Sequence, residues 1–138
     1  YHIGVAVGLF NGHITTPMKE LALKTLTKEY NVPREHIIVI EVAGAADMPC
    51  VLEALARKEE IDCMLSIAAI IRGATAHFDY VADIVSTAVT NVQIKHAKPV
   101  AFGVLTVDTQ EQAEARIEHA AGYAAAALHA AKKLRELA

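Results

Sequence analysis

The run Ile61-Asp62-Cys63-Met64-Leu65-Ser66-Ile67, followed after a loop by the stripe Val81, Ile84, Val85, Ala88 and Val92, decides the fold class. The first part is short and mostly apolar, as expected of a parallel strand covered on both faces. The second repeats at i, i+3 and i+4, the spacing of a helix with one buried side. A covered strand feeding an amphipathic helix is one β–α unit, and the pattern recurs along the chain. Short apolar runs stand at residues 3–9, 36–42 and 99–105.

Each of these runs precedes a helical pattern. Thr16 reads as a cap and Pro17 as the first helical position, ahead of Met18, Leu21, Leu23 and Leu26. Val51, Leu52, Leu55 and Ala56 carry the second helix. Thr109 and Gln112 form a capping-box pattern before a stripe through Ala113, Ile117, Ala120, Ala124, Leu128 and Ala131. That stripe predicts one continuous last helix of about 28 residues, roughly 42 Å long. Alternating units with right-handed crossovers predict an α/β fold. The expectation is a flavodoxin-like, doubly wound sheet of about four parallel strands with helices on both faces.

The chain has 138 residues and 54% hydrophobic content, enough to fill one core, and no linker or repeat divides it. A net charge of −3 without a basic block argues against nucleic acid and anionic membrane as partners. No apolar run is long enough to span a bilayer, and the opening residues do not read as a signal peptide. Cys50 and Cys63 lie in apolar stretches without metal-ligand spacing, as buried thiols do in a reducing compartment. Residues 1–138 are thus expected to form a single cytoplasmic domain.

Ligands of doubly wound sheets bind at the carboxyl ends of the strands, near the point where strand order reverses. That rule selects the loops at 10–16, 43–47, 68–76 and 106–109. The third reads Arg72-Gly73-Ala74-Thr75-Ala76-His77-Phe78-Asp79-Tyr80. Gly73 permits close approach of the backbone, and the amides that follow stand at a helix N-terminus with the Thr75 hydroxyl beside them. The arrangement suits an anion such as phosphate, and equally a plain glycine turn with a threonine cap. His77 opens the helix next to it and is the candidate base.

Other positions admit two readings each. Arg116 is either a bidentate phosphate ligand or a surface partner of Glu111 or Glu114. Phe10 and Asn11 end the first strand, as a stacking ring with an orienting amide or as a core aromatic with a turn residue. Asp47 follows Gly44-Ala45-Ala46 and is a site acid or a helix cap. The remaining histidines have no local zinc spacing, and dinucleotide, nucleotide-triphosphate and nucleophile-elbow motifs are absent.

On these residues the chain resembles lumazine synthase (6,7-dimethyl-8-ribityllumazine synthase) over nearly its whole length, in the compact form typical of archaeal members. The most specific segments are residues 71–81, residues 99–106 and residues 109–116; Phe10-Asn11 and residues 44–49 support them. The resemblance implies condensation of 5-amino-6-(D-ribitylamino)uracil with 3,4-dihydroxy-2-butanone 4-phosphate in riboflavin biosynthesis, releasing phosphate and water. It implies no metal or organic cofactor.

By the same resemblance His77 shuttles protons, Ala74, Thr75 and Arg116 hold the phosphate, and Gly73 belongs to the substrate-binding loop. Phe10 stacks on the pyrimidine with Asn11 beside it. Ala45, Ala46, Asp47, Ala69, Ile70 and Ile71 line the pyrimidine and ribityl site, and Phe102 and Arg116 reach it from a neighbouring subunit. The implied assembly is a homopentamer, or a shell of sixty subunits or part of a designed assembly.

Ala43, Ala46 and Ala68 stand where family members usually carry proline, an aromatic and glycine, and Ala68 is expected to crowd the ligand loop. The alanine-rich segment 120–131 also fits a second reading, an engineered or altered self-assembling scaffold on this fold with impaired catalysis.

Overall fold

The computed structural model describes residues 1–138. Strands β1 (Ile3–Gly8), β2 (Ile37–Val42), β3 (Cys63–Ile71) and β4 (Val100–Val107) form one sheet in the order β2-β1-β3-β4. All three pairings are parallel. The helices are α1 (Gly12–Lys24), α2 (Met48–Ala56), α3 (His77–His96), α4 (Gln110–Ala115) and α5 (Ala120–Leu137).

Alternate residues of the central strands face opposite layers. Ile3, Val5, Leu65 and Ile67 pack with Ile14 and Met18 of α1 and with Ala124 and Leu128 of α5. Met64, Ala68, Val100 and Val104 pack with Leu52 and Leu55 of α2 and with Val85 and Val89 of α3. Burial on both faces is why β1 and β3 read as apolar runs, interrupted only by Ser66, whose hydroxyl donates to the Ala101 carbonyl. The predicted α/β, flavodoxin-like, doubly wound sheet of four parallel strands with helices on both faces is the observed architecture.

Three boundaries differ from expectation. β3 runs to Ile71, so its loop is only residues 72–76 rather than 68–76. Its pairing with β1 ends at Val7↔Ile67, while its pairing with β4 continues to Ile71↔Val107. The carboxyl end of β3 is therefore laddered on one side only, and its other edge opens beside β1.

Helix α1 starts at Gly12, not at Pro17. Asn11 precedes it in the left-handed region at φ 60°, and its carbonyl accepts from the amides of Ile14 and Thr15. Pro17 sits inside the helix, which forgoes one ladder bond there.

The long last helix is broken. α4 ends at Ala115, a 3₁₀ turn spans Ile117–His119, and α5 follows. The Arg116 amide bonds to Ala113, and the Gln112 carbonyl, which a continuing α-helix would pair with that amide, accepts instead from the Arg116 guanidinium at 2.9 Å. The capping box at the start of α4 is as read: the Gln112 amide donates to Thr109 Oγ1 at 3.1 Å, and Gln112 Oε1 accepts from the Thr109 amide at 3.3 Å.

Candidate active site

The switch in strand order falls between β1 and β3, since the chain leaves β1 for β2 on one side and returns to β3 on the other. At the carboxyl end of that junction lies a cleft of about 290 Å³. Phe10, the stretch from Ala43 through Asp47, Ala68, Ala69, Ile70, His77 and Val81 line it. The loops after β1 and β2, the end of β3 and the head of α3 thus converge on one opening.

Each wall follows from a local feature. The β1 end is held by main-chain bonds from the Leu9 amide to Val42 and from the Phe10 amide to Ala43, both 2.8 Å. The Phe10 ring is left 74% exposed, a flat apolar face directed at solvent rather than the core. The Asn11 amide donates to the Ala69 carbonyl at 2.8 Å, crossing the open edge of β3. Gly44 and Asp47 close a tight turn: Asp47 Oδ2 accepts from the Gly44 amide at 3.0 Å, and the Asp47 amide donates to the Gly44 carbonyl at 3.1 Å. Gly8 eases the close passage of this turn over β1, because a Cβ there would lie a tight 3.3 Å from the Gly44 carbonyl carbon.

The Ala68 methyl lines the cleft. It is almost fully buried, and even a Cβ built on Gly8 would stand at an ordinary 3.5 Å from it.

His77 is the first residue of α3 and is exposed at the mouth of the cleft. Thr75 Oγ1 accepts from its backbone amide at 3.4 Å, which leaves the hydroxyl hydrogen free to donate elsewhere. Gly73 has no atom within 4 Å of where its side chain would begin, and residues 73–76 are exposed. Their amides precede a helix of 20 residues, where positive potential and unpaired N–H groups favour an anion.

Among the residues singled out from sequence, Phe10, Ala45, Ala46, Asp47, Ala69, Ile70 and His77 meet in the cleft. Asn11, Gly73, Ala74 and Thr75 stand at its margin without lining it. Ile71 is half-buried and turns toward the opposite layer, against the α1–α5 core. Phe102 and Arg116 do not join the site of their own subunit. Phe102 stands on the outer strand β4, in a groove with Phe78, Ala82, Ser86 and Thr106. Arg116 is half-buried at the α4–α5 break, bonded to Gln112.

Sequence reasoning did not single out Val81, which lines the cleft one turn beyond His77, or Arg72. The Arg72 Nε donates to Asp108 at 3.0 Å, a terminal nitrogen lies 3.5 Å from Asp79, and the guanidinium covers the Phe78 ring at 4.3 Å. Only its place in the loop motif pointed to it.

No three His, Cys, Asp or Glu side chains gather in a metal-binding arrangement, and no helix is long and apolar enough to cross a membrane. A larger cavity of about 730 Å³ lies away from the strand ends, between Tyr1, Tyr30 and α5. It holds none of the loop residues considered above.

Two comparisons bear on this geometry. The family model described as 6,7-dimethyl-8-ribityllumazine synthase matches residues 1–137. A 6,7-dimethyl-8-ribityllumazine synthase of Cytophaga hutchinsonii is 38% identical over 110 residues, which cover 80% of this chain and 69% of that protein.

Proposed function

The chain belongs to the 6,7-dimethyl-8-ribityllumazine synthase family, and from that membership we propose which of its residues carry each part of the reaction. The reaction, a step of riboflavin biosynthesis, condenses 5-amino-6-(D-ribitylamino)uracil with 3,4-dihydroxy-2-butanone 4-phosphate. The primary amine and the ketone form an imine with loss of water, phosphate is eliminated, and ring closure with loss of water gives the lumazine.

The observation that carries the residue assignment is the convergence of Phe10, His77 and the open edge of β3 on one cleft. The pyrimidine stacks on the exposed Phe10 ring. Its polar edge and the ribityl hydroxyls meet peptide groups of residues 45–47 and of residues 69–71, the part of β3 that β1 no longer pairs and on whose open edge only the Ala69 carbonyl is already bonded, to Asn11. The phosphate lies against the amides of Gly73, Ala74 and Thr75 and accepts from the Thr75 hydroxyl. His77, between the two subsites, removes the proton that elimination requires and returns one during ring closure. Holding two reactants in register supplies much of the remaining acceleration.

Oligomeric assembly belongs to the family. The arrangement we propose is a pentamer in which Phe102 and Arg116 complete the site of an adjacent subunit. Two facts support it: Phe102 is solvent-exposed on an outer strand, and Arg116 lies outside its own subunit's cleft. Two unpaired cysteines, Cys50 and Cys63, fit a cytoplasmic location.

The test mixes purified protein with both substrates and follows lumazine absorbance. The wild type forms product, and His77→Ala loses about 100-fold or more in kcat while keeping its circular dichroism. No product at high protein concentration overturns the activity, and an unaffected His77→Ala variant overturns the role of the histidine. Native mass spectrometry reports the assembly: a monomer contradicts a site built across subunits.

A further inference from the structure

We propose that Arg72 is a positioning residue that fixes the anion-binding loop, residues 73–76, by clamping it to the loop after β4. The inference rests on the reading above, in which that loop receives the phosphate of the butanone substrate. Three observations carry it.

The Arg72 amide makes the last bond between β3 and the β4 side, to the Val107 carbonyl at 2.8 Å. Main-chain pairing with the sheet therefore ends at this residue, and the next four are exposed. The side chain then reaches where the main chain stops: Nε to Asp108 beyond β4, a terminal nitrogen to Asp79 in the first turn of α3. The guanidinium plane lies over Phe78, the residue after His77. One side chain thus ties the loop after β4 to the helix turn that carries the candidate base, across the open span of residues 73–76.

The chemistry of the hub separates positioning from ligation. Two carboxylates already flank the guanidinium, so it is poorly suited to be the group that binds a phosphate directly. A planar fork that pairs with two acids and stacks on a ring is also a task for arginine and not for lysine, whose single ammonium cannot do all three. Each contact is partly solvent-exposed and individually weak, and the expected effect is correspondingly moderate.

The experiment compares wild type, Arg72→Ala, Arg72→Lys, Asp108→Asn and the Arg72→Ala/Asp108→Asn double variant in steady-state assays with each substrate varied in turn. Loss of the clamp raises KM for 3,4-dihydroxy-2-butanone 4-phosphate about tenfold and leaves KM for the pyrimidine within about twofold. Arg72→Lys fails to restore the wild-type KM. The double variant is no worse than Arg72→Ala, because the two residues act through one contact. Equal rises in both KM values, an unchanged phosphate-substrate KM, or full rescue by lysine each overturns the proposal. Thermal unfolding of every variant is measured alongside: a KM effect that merely tracks the fall in Tm also overturns it. An inactive wild type instead overturns the functional reading, so the two failures are distinguishable.

Discussion

Asn11 donates its side-chain amide to the carbonyl of Ala69 at 2.8 Å, joining the loop after β1 to the part of β3 that β1 no longer pairs. The bond holds two cleft walls at a fixed separation, and it depends on a residue that tolerates the left-handed backbone at φ 60°.

Asn11→Ala should therefore lose twice, once through backbone strain and once through the missing bond. The expected loss is about 2 kcal/mol, from roughly 1 kcal/mol for each effect. Asn11→Gly keeps the backbone and should lose only about half as much. Both variants should raise KM for the pyrimidine substrate more than for the phosphate-bearing one. Guanidinium denaturation and steady-state kinetics measure the two effects, and equal stability of the Ala and Gly variants would refute the strain component.

Gly103 lies where β4 presses against β3. A Cβ there would stand 2.7 Å from the Ser66 carbonyl oxygen and 3.0 Å from a ring carbon of Tyr123. The first obstacle is backbone in the middle of the sheet, which cannot rotate away. Gly103→Ala should cost about 2 kcal/mol through overpacking, read as a fall in Tm of roughly 8 °C. A variant that melts with the wild type would show that the strands separate more easily than this geometry implies.

Glu53 is the acid of a cationic cluster joining α2 to the end of α3. His96 Nε2 stands 2.7 Å from one of its oxygens, with Arg57 at 3.3 Å and Lys95 at 3.4 Å. The His96 hydrogen bond is the main influence and holds the carboxyl below its ordinary 4.5, against an opposing loss of hydration and with help from Lys95. A carboxyl depressed by folding contributes stability that is fully present above its unfolded value and disappears as pH falls through the folded one. Below about pH 4.5 the wild type should therefore lose Tm more steeply than Glu53→Gln. Parallel Tm–pH curves over pH 3 to 7 would contradict the linkage.

The two thiols should behave oppositely. Burial, reinforced by the charge of Asp62, pushes Cys63 up to about 12, whereas Cys50 is exposed on α2. Titration with an aromatic disulfide near pH 8 should release one equivalent rapidly from the folded protein and the second only on denaturation. Cys50→Ser should abolish the fast phase. Two fast equivalents would mean that the end of β3 near Asp62 opens readily.

The layer architecture was legible because each central strand is covered on both sides, so its length is apolar but for Ser66, and because α3 carries apolar residues at helical spacing, of which Val85 and Val92 are buried while Ile84 is exposed. The end of β3 was not. Ala68, Ala69, Ile70 and Ile71 continue the same hydrophobic run, and only hydrogen bonding to β4 separates strand from loop there. The break after α4 was equally hidden. Alanines and a capping box extend a helical pattern straight through it, and the diversion of the Gln112 carbonyl to Arg116 is visible only in three dimensions. His77 stood out because it opens a helix beside a loop suited to an anion, and Phe10 because the family resemblance resolved which of its two readings applies. Arg72 did not, since its partner Asp108 lies 36 residues away.

The cleft wall offers Ala43, Gly44, Ala45, Ala46, Ala68 and Ala69, residues with at most one methyl each. Truncation scanning would pass over most of this wall in silence, because there is almost nothing to truncate. What the wall contributes is the placement of peptide groups, and placement is inherited from strand pairing and the crossing of Gly8. The pocket should consequently drift freely among small residues while staying brittle toward any change, however distant, that slides β3 against β1. Its identity is written in backbone position more than in the letters that surround it.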